Sequence, residues 1–184
     1  MEFVNHRNGD GKLVFAIRYN LNKLRTWYKF HVKYPWVKYY GFVRVMHGVS
    51  FAKGMDIRIG NNVQFGPNCD IATNVCFGND ILLAGRVYIV GRQDHKYDDP
   101  MKTIWQGERG DNAITIIEDD VWIGTNSVIL SGVKIGKGSI IAAGSVITKD
   151  IPACEIWGGN PARKLRNRFG SDAETKQHME FLKR

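Results

Sequence analysis

A chain of 184 residues with a hydrophobic share of 43% is long enough for one domain with a sizeable core. No apolar run approaches the length that spans a bilayer, and the polar stretch 1–11 does not read as a secretory leader. Three cysteines, Cys69, Cys76 and Cys154, form an odd set whose spacing suits neither zinc nor a disulfide framework, so reduced thiols in a cytoplasmic protein are expected. The formal charge of +8 is unevenly spread: from Gly11 to Met55 there are nine Lys/Arg residues and no Asp or Glu, which leaves −1 for the rest of the chain. Such a segment suits an anionic partner or a solvated basic face.

In chain order, residues 1–52 are expected to hold a polar tail, a basic helix and an irregular lead-in. Over 12–32 an amphipathic pattern places Leu13, Ile17, Leu21, Leu24, Tyr28 and Val32 on one stripe, with Arg18, Lys23, Arg25 and Lys29 elsewhere. Pro35 ends it, and 36–52 are aromatic and apolar without a clear period. A six-residue beat then takes over. Its anchors are Ile59, Phe65, Ile71, Phe77, Leu83 and Ile89, resuming at Ile117, Ile123, Ile129, Ile135, Ile141 and Ile147. The residue after an anchor is usually small, as at Gly60, Gly66, Gly124 and Gly136. Four places after each anchor comes a further small or aliphatic residue, among them Val63, Cys69, Val121 and Ser127. A helix needs a period near 3.6 and a half-buried strand a period of 2. A period of six fits a chain that turns a corner every six residues and stacks coil on coil, the signature of a β-helix.

The anchors Ile89 and Ile117 lie 28 residues apart, which is not a multiple of six, so 91–113 must leave the stack as an excursion. Long loops on rigid scaffolds tend to carry function. The repeat region is expected over 53–168, followed by a C-terminal segment 169–184 with a helix over 173–183, capped by Ser171 or Asp172 and docked through Met179 and Leu182. The open end of such a stack exposes unpaired backbone, and the N-terminal helix is expected to plug one end. Flat repeat faces invite oligomerisation.

From Val121-Trp122-Ile123-Gly124 through Ile135-Gly136, Ala143-Gly144-Ser145 and Thr148-Lys149-Asp150-Ile151-Pro152 to Gly159-Asn160-Pro161-Ala162-Arg163, the sequence resembles the hexapeptide-repeat acyltransferases. The nearest branch is the galactoside, maltose, colanic-acid and capsule O-acetyltransferases. The resemblance implies a mainly β protein, a left-handed parallel β-helix of triangular section, assembled as a homotrimer. It also implies acetyl-CoA as donor and an active site between neighbouring subunits. The expected activity is transfer of an acetyl group to a sugar hydroxyl in bacterial surface-polysaccharide synthesis.

Within that frame His95, the excursion's only histidine, is the expected general base, because a hydroxyl is a poor nucleophile until its proton is taken and imidazole titrates near neutrality. The family places its catalytic histidine in this same excursion. By resemblance Thr125, after Gly124, directs a backbone amide at the oxyanion. Ala143, Thr148 and Lys149 match positions that line the pantetheine groove, and Pro161 matches one near the adenine. Lys149, Arg163 and Arg166 are placed to meet CoA phosphates. Asp70 and Trp105 are candidates for the acceptor side. His6, His31, His47 and His178 read as structural or surface residues. No cysteine or serine stands in a nucleophile motif, so direct transfer is expected.

Three rivals remain in view. One is an N-acetyltransferase of an amino sugar or sugar nucleotide, or an antibiotic acetyltransferase, on the same fold. A metalloenzyme of the γ-carbonic-anhydrase type needs three histidines at subunit contacts, and only His95 lies in the repeat region, so no metal is expected. A basic-helix module for nucleic acid lacks any recognised signature and is not expected. A milder form, peripheral contact between the basic segment and an anionic membrane, stays open.

Overall fold

In the computed structural model, residues 11–110 and 112–183 are described, so the polar tail and His6 lie outside the described residues. Short strands stack in parallel into three flat walls, forming a left-handed β-helix. The first wall runs Lys38–Tyr39, Ile57–Ile59, Val75–Phe77, Thr115–Ile117 and Lys134–Ile135, closed by a bridge from Ile135 to Ile151. The second runs Val43–Val45, Val63–Phe65, Ile81–Leu83, Trp122–Ile123, Ile140–Ile141 and Glu155–Gly159. The third runs Ser50–Phe51, Asp70–Ile71, Tyr88–Val90, Val128–Leu130 and Val146–Ile147.

The six-residue beat is the packing rule of this prism. All twelve anchors point inward and are buried, and so are the second inward residues such as Val63, Cys69, Val121 and Ser127. Inside the prism Phe51, Phe65 and Phe77, one from each wall, meet edge to face, with centroids 5.4 and 5.1 Å apart. The small residue after an anchor lets coils approach. A Cβ on Gly66 would lie 2.4 Å from the carbonyl carbon of Ala84. Corners are sealed by side chains that take the place of a ladder partner. Asn61, Asn79 and Asp119 each accept, through Oδ1, the backbone N–H of the coil before (Phe42, Asn61 and Asn79, at 2.8, 2.9 and 2.8 Å).

The stack begins earlier than the sequence reading set it. Residues 36–52 are no irregular lead-in: Lys38–Tyr39, Val43–Val45 and Ser50–Phe51 pair in register with Ile57–Ile59, Val63–Phe65 and Asp70–Ile71. Tyr39, Val45 and Phe51 already follow the beat, and a two-residue enlargement of the next corner hides the continuity.

Helix α1 (Lys12–Tyr28) continues through a π-helical turn, Lys29–Lys33, and covers the open first coil. It does so with its polar side. Asn22 Nδ2 and Thr26 Oγ1 donate to the free carbonyl of Val43 at 3.0 and 2.8 Å, and Lys29 Nζ donates to Met46 O at 3.0 Å. Burial and the neighbouring Arg25 and Lys33 hold the Lys29 ammonium below the usual lysine range. Phe30, Tyr34 and Val37 then join the core. An edge of unpaired carbonyls asks for donors, and the apolar stripe of α1 is therefore left facing outward, Leu13 being 74% and Leu24 64% exposed.

At the other end Glu155–Gly159 turns back and pairs antiparallel with Ala162–Asn167, so the basic run forms a hairpin strand. Burial alone would push the Glu155 carboxyl up, but hydrogen bonds from Lys164 and from Trp157 outweigh it and hold it below the usual range. Helix α2 (Asp172–Phe181) starts at Ser171, whose hydroxyl accepts Glu174 N–H in a capping box. Its firmest anchor is His178, whose Nε2 lies 2.8 Å from Asp120 Oδ2, with Arg168 on the same carboxylate. Met179 and Leu182 are only half-buried.

Candidate active site

The excursion leaves the third wall after Val90 and re-enters the first at Thr115, which pairs with Val75 as though nothing intervened. Its stem is clasped by one side chain. Asn112 Oδ1 accepts Arg92 N–H, Gln93 N–H and the Ser131 hydroxyl at 2.8, 3.1 and 2.9 Å, and Asn112 Nδ2 donates to Asp94 Oδ1 at 3.1 Å. Gly91 permits this closure, since a Cβ there would lie 1.8 Å from Asp94 Oδ1. Beyond the stem, Lys96 N–H donates to Glu108 O and Gly110 N–H to Gln93 O, both at 2.9 Å, holding the arms together. The tip is a single 3₁₀ turn, Ile104–Gln106. His95 sits on the outgoing arm and is exposed, directly after the fixed Asp94. Trp105 at the tip is 93% exposed, so within one protomer it does not anchor the excursion to the coils.

Beneath the stem lies a groove of about 640 Å³ at the edge between the third and first walls, lined by Arg92, Gln93, Asn112, Ser131, Thr148 and Lys149 among others. The Arg92 guanidinium donates to Thr148 O at 2.7 Å and ties the stem to the next coils. Lys149 turns its ammonium over the Trp157 ring, 5.2 Å from the centroid, which links the groove to the C-terminal hairpin. Two of the expected donor-groove residues, Thr148 and Lys149, are thus brought beside the excursion.

Gly124, Thr125 and Ala143 lie on the other edge of the third wall, at its corner with the second. Gly124 is buried there, and a Cβ on it would lie 2.5 Å from Ala143 N, so its first role is coil stacking. The Thr125 hydroxyl donates to Gly85 O at 2.7 Å and its carbonyl accepts Gly144 N–H at 2.8 Å. Its own N–H meets no acceptor among the described residues. Asp70 stands on the outer face of the third wall and accepts the Ser50 hydroxyl at 2.6 Å; it is a strand residue. Pro161, Arg163 and Arg166 are exposed at the hairpin, where Arg163 donates to Ala162 O and Arg166 to Asn167 O. One protomer therefore distributes the expected residues over both edges and the outer face of the third wall and over the hairpin that ends the second. The sequence reading missed Asn112 and Ser131 and gave Arg92 no role. A serine directly after strand Val128–Leu130, one coil beyond the strand at which the chain departs for 23 residues, was the available signal for the clasp. Among the described residues no group of three or more His, Cys, Asp or Glu is set to hold a metal.

Fold and repeat together define a hexapeptide-repeat β-helix. Residues 114–149 match the family model described as bacterial transferase hexapeptide (six repeats). The chain is 54% identical over 67 residues to the 2,3,4,5-tetrahydropyridine-2,6-dicarboxylate N-acetyltransferase of Clostridium perfringens, a match covering 36% of this chain and 27% of the relative. The chain thus spans about a quarter of the length of that curated relative. Among solved structures it is similar to AntD, an N-acyltransferase from Bacillus cereus in complex with dTDP-4-amino-4,6-dideoxyglucose and coenzyme A. There the TM-score is 0.61 at 19% identity, covering 80% of this chain and 84% of that one. It is also similar to the polySia specific acetyltransferase NeuO, at TM-score 0.54 and 25% identity over 80% of this chain and 78% of that one.

Proposed function

We propose that the chain is an acetyltransferase that moves an acetyl group from acetyl-CoA to a saccharide hydroxyl, acting as a trimer with its sites between protomers. One observation carries the reading: the histidine-bearing excursion rises from one edge of the third wall, while Thr125, whose N–H has no acceptor among the described residues, lies at the opposite edge, so that two copies set side by side could complete what one lacks. The named relatives and the matched transferase repeat support acyl transfer. Exposed apolar side chains support assembly: Leu82 and Trp122 on the outer face of the second wall, and Tyr97, Met101, Ile104 and Trp105 on the excursion.

In this reading His95 takes the acceptor proton as the acceptor oxygen attacks the thioester carbonyl. The Thr125 N–H of the neighbouring copy holds the oxyanion, and the imidazolium returns the proton to the departing thiolate. Lys149, Arg163 and Arg166 meet the donor's phosphates, with Ala143 and Thr148 beside its slender arm and Pro161 by its base. Asp70 and Trp105 flank the acceptor. A second reading, transfer to an amine, is favoured by the 54% identity to an N-acetyltransferase. The match spans only 27% of that relative. A panel of hydroxyl and amino sugars incubated with acetyl-CoA and read by mass spectrometry decides between them. Acetylation of amines alone would overturn the O-transfer reading, and a monomer by light scattering would overturn the shared site.

A further inference from the structure

Helix α1 is turned inside out relative to an ordinary surface helix. Its inward side is Asn22, Thr26 and Phe30, with the Tyr19 ring stacked flat on Phe42 at 4.8 Å. Its outward side is the stripe Leu13, Ile17, Leu21, Leu24, Tyr28 and Val32, exposed by 74, 52, 61, 64, 56 and 56%. With successive side chains about 100° apart, the five of these on α1 itself, Leu13 to Tyr28, fall within an arc of about 80°, opposite Asn22 and Thr26, and Val32 lies in the π-helical turn that follows. Single exposed apolar residues are ordinary, but a contiguous stripe of this length marks an interaction surface.

The charges around the stripe select its partner. By the same helical rotation Arg18 and Arg25 border it on one side and Lys23 on the other. The surrounding segment from Gly11 to Met55 holds nine cationic and no acidic residues. A second copy of this face would oppose cation to cation, with no acidic residue inside the same segment to offset them. A surface of lipid phosphates would meet those cations while the stripe entered the boundary between headgroups and acyl chains. Trp27 and Tyr28, both about half exposed, are the residue types that settle at that boundary.

We propose that the outward face of α1 is a peripheral docking surface for an anionic phospholipid bilayer, with the helix lying in the plane of the interface. No described helix is long and apolar enough to cross a membrane, so the contact is one of adsorption. The proposal is independent of the acetyl-transfer reading, because its readout is binding alone.

The test is sedimentation of the whole chain with vesicles of phosphatidylcholine, and with vesicles in which half of that lipid is replaced by phosphatidylglycerol. The expected result is binding to the anionic vesicles alone, weakened by high salt. The double variant Leu21→Glu/Leu24→Glu should bind at least about tenfold more weakly. Lys23→Glu/Arg25→Glu leaves the stripe in place and removes only the Arg25–Asn22 hydrogen bond and the Lys23 contact with the Tyr19 ring from the helix's inner side, so it should lose salt-sensitive binding with a melting temperature lowered by a few degrees at most. Equal sedimentation with neutral and anionic vesicles, or undiminished binding by both variants, would overturn the proposal. So would a change in molar mass by light scattering in the leucine variant, which would make the stripe a contact between protomers.

Discussion

Between residues 57 and 90, and again between 115 and 151, nearly every second position is buried and the corners are closed by backbone or Asn/Asp acceptors. Between 92 and 109 every residue but Gly107 is exposed, although the excursion has a clasped stem and a 3₁₀ turn at its tip. The prism buries most of its apolar side chains, with Leu82 and Trp122 on the second wall among the exceptions, and the excursion offers its own to something else. A segment that contributes so little to the core owes its residues to chemistry or to contact with another body. Substitutions in the two regions should therefore separate activity from stability.

The sharpest separation is expected at His95. His95→Ala should lower turnover about 10²–10⁴-fold, while the denaturation midpoint stays where it is in the unmodified chain. Ile123, buried at the centre of the prism, should behave the opposite way. Ile123→Ala should cost about 2–5 kcal/mol in chemical denaturation, with the activity of whatever remains folded unaltered. Asn112 sits on the boundary between the regions. Asn112→Ala leaves three donors without their shared acceptor, and turnover should fall roughly tenfold through a misplaced arm. Since Asn112 positions and does not react, the pH dependence of turnover should keep its shape. If Asn112→Ala instead unfolds the prism, the line between the two regions has been drawn in the wrong place.

The smallest effect belongs to a corner far from the excursion. Burial would push the Asp119 carboxyl up, but the hydrogen bond from Lys137 and those from Asn79 outweigh it and hold it below the usual carboxylate range. Lys137 is raised in turn by the same pair. A carboxyl depressed in the folded state contributes stability above its unfolded pKa, and that contribution is lost as pH falls through the folded value. Asp119→Asn should thus flatten the acid limb of the stability profile, measured by denaturation between neutral and acidic pH, and leave turnover untouched.

The prism was legible because one periodicity governs burial at every coil. The anchors and the second inward residues could be named from spacing alone, and each of those named is buried. The first coil was not, because two additional residues at the next corner break the count before Ile59. The orientation of α1 was hidden for a different reason. Amphipathicity shows which face is apolar, but an edge strand with free carbonyls recruits the polar face, and that edge exists only once the coils are stacked. At the candidate site, His95 was expected from its place in the excursion, and Thr148 and Lys149 from the resemblance to the hexapeptide-repeat acyltransferases; the latter two line the groove beneath the stem. Asn112 was not, because its three donors come from positions 92, 93 and 131, which sequence distance keeps apart. The Asn61, Asn79 and Asp119 series, an amide or carboxylate two places after an anchor, was passed over in the sequence, because each side chain serves the corner of another coil.

One consequence follows from the pairing of Thr115–Ile117 with Val75–Phe77. The stack resumes in register whatever the chain does between the clasp and the tip. A flap of another length or composition, spliced onto the same stem, would leave each coil with its present neighbours. Acceptor preference can then diverge among descendants of such a scaffold by exchange of a single detachable module, without any renewed solution of the packing inside.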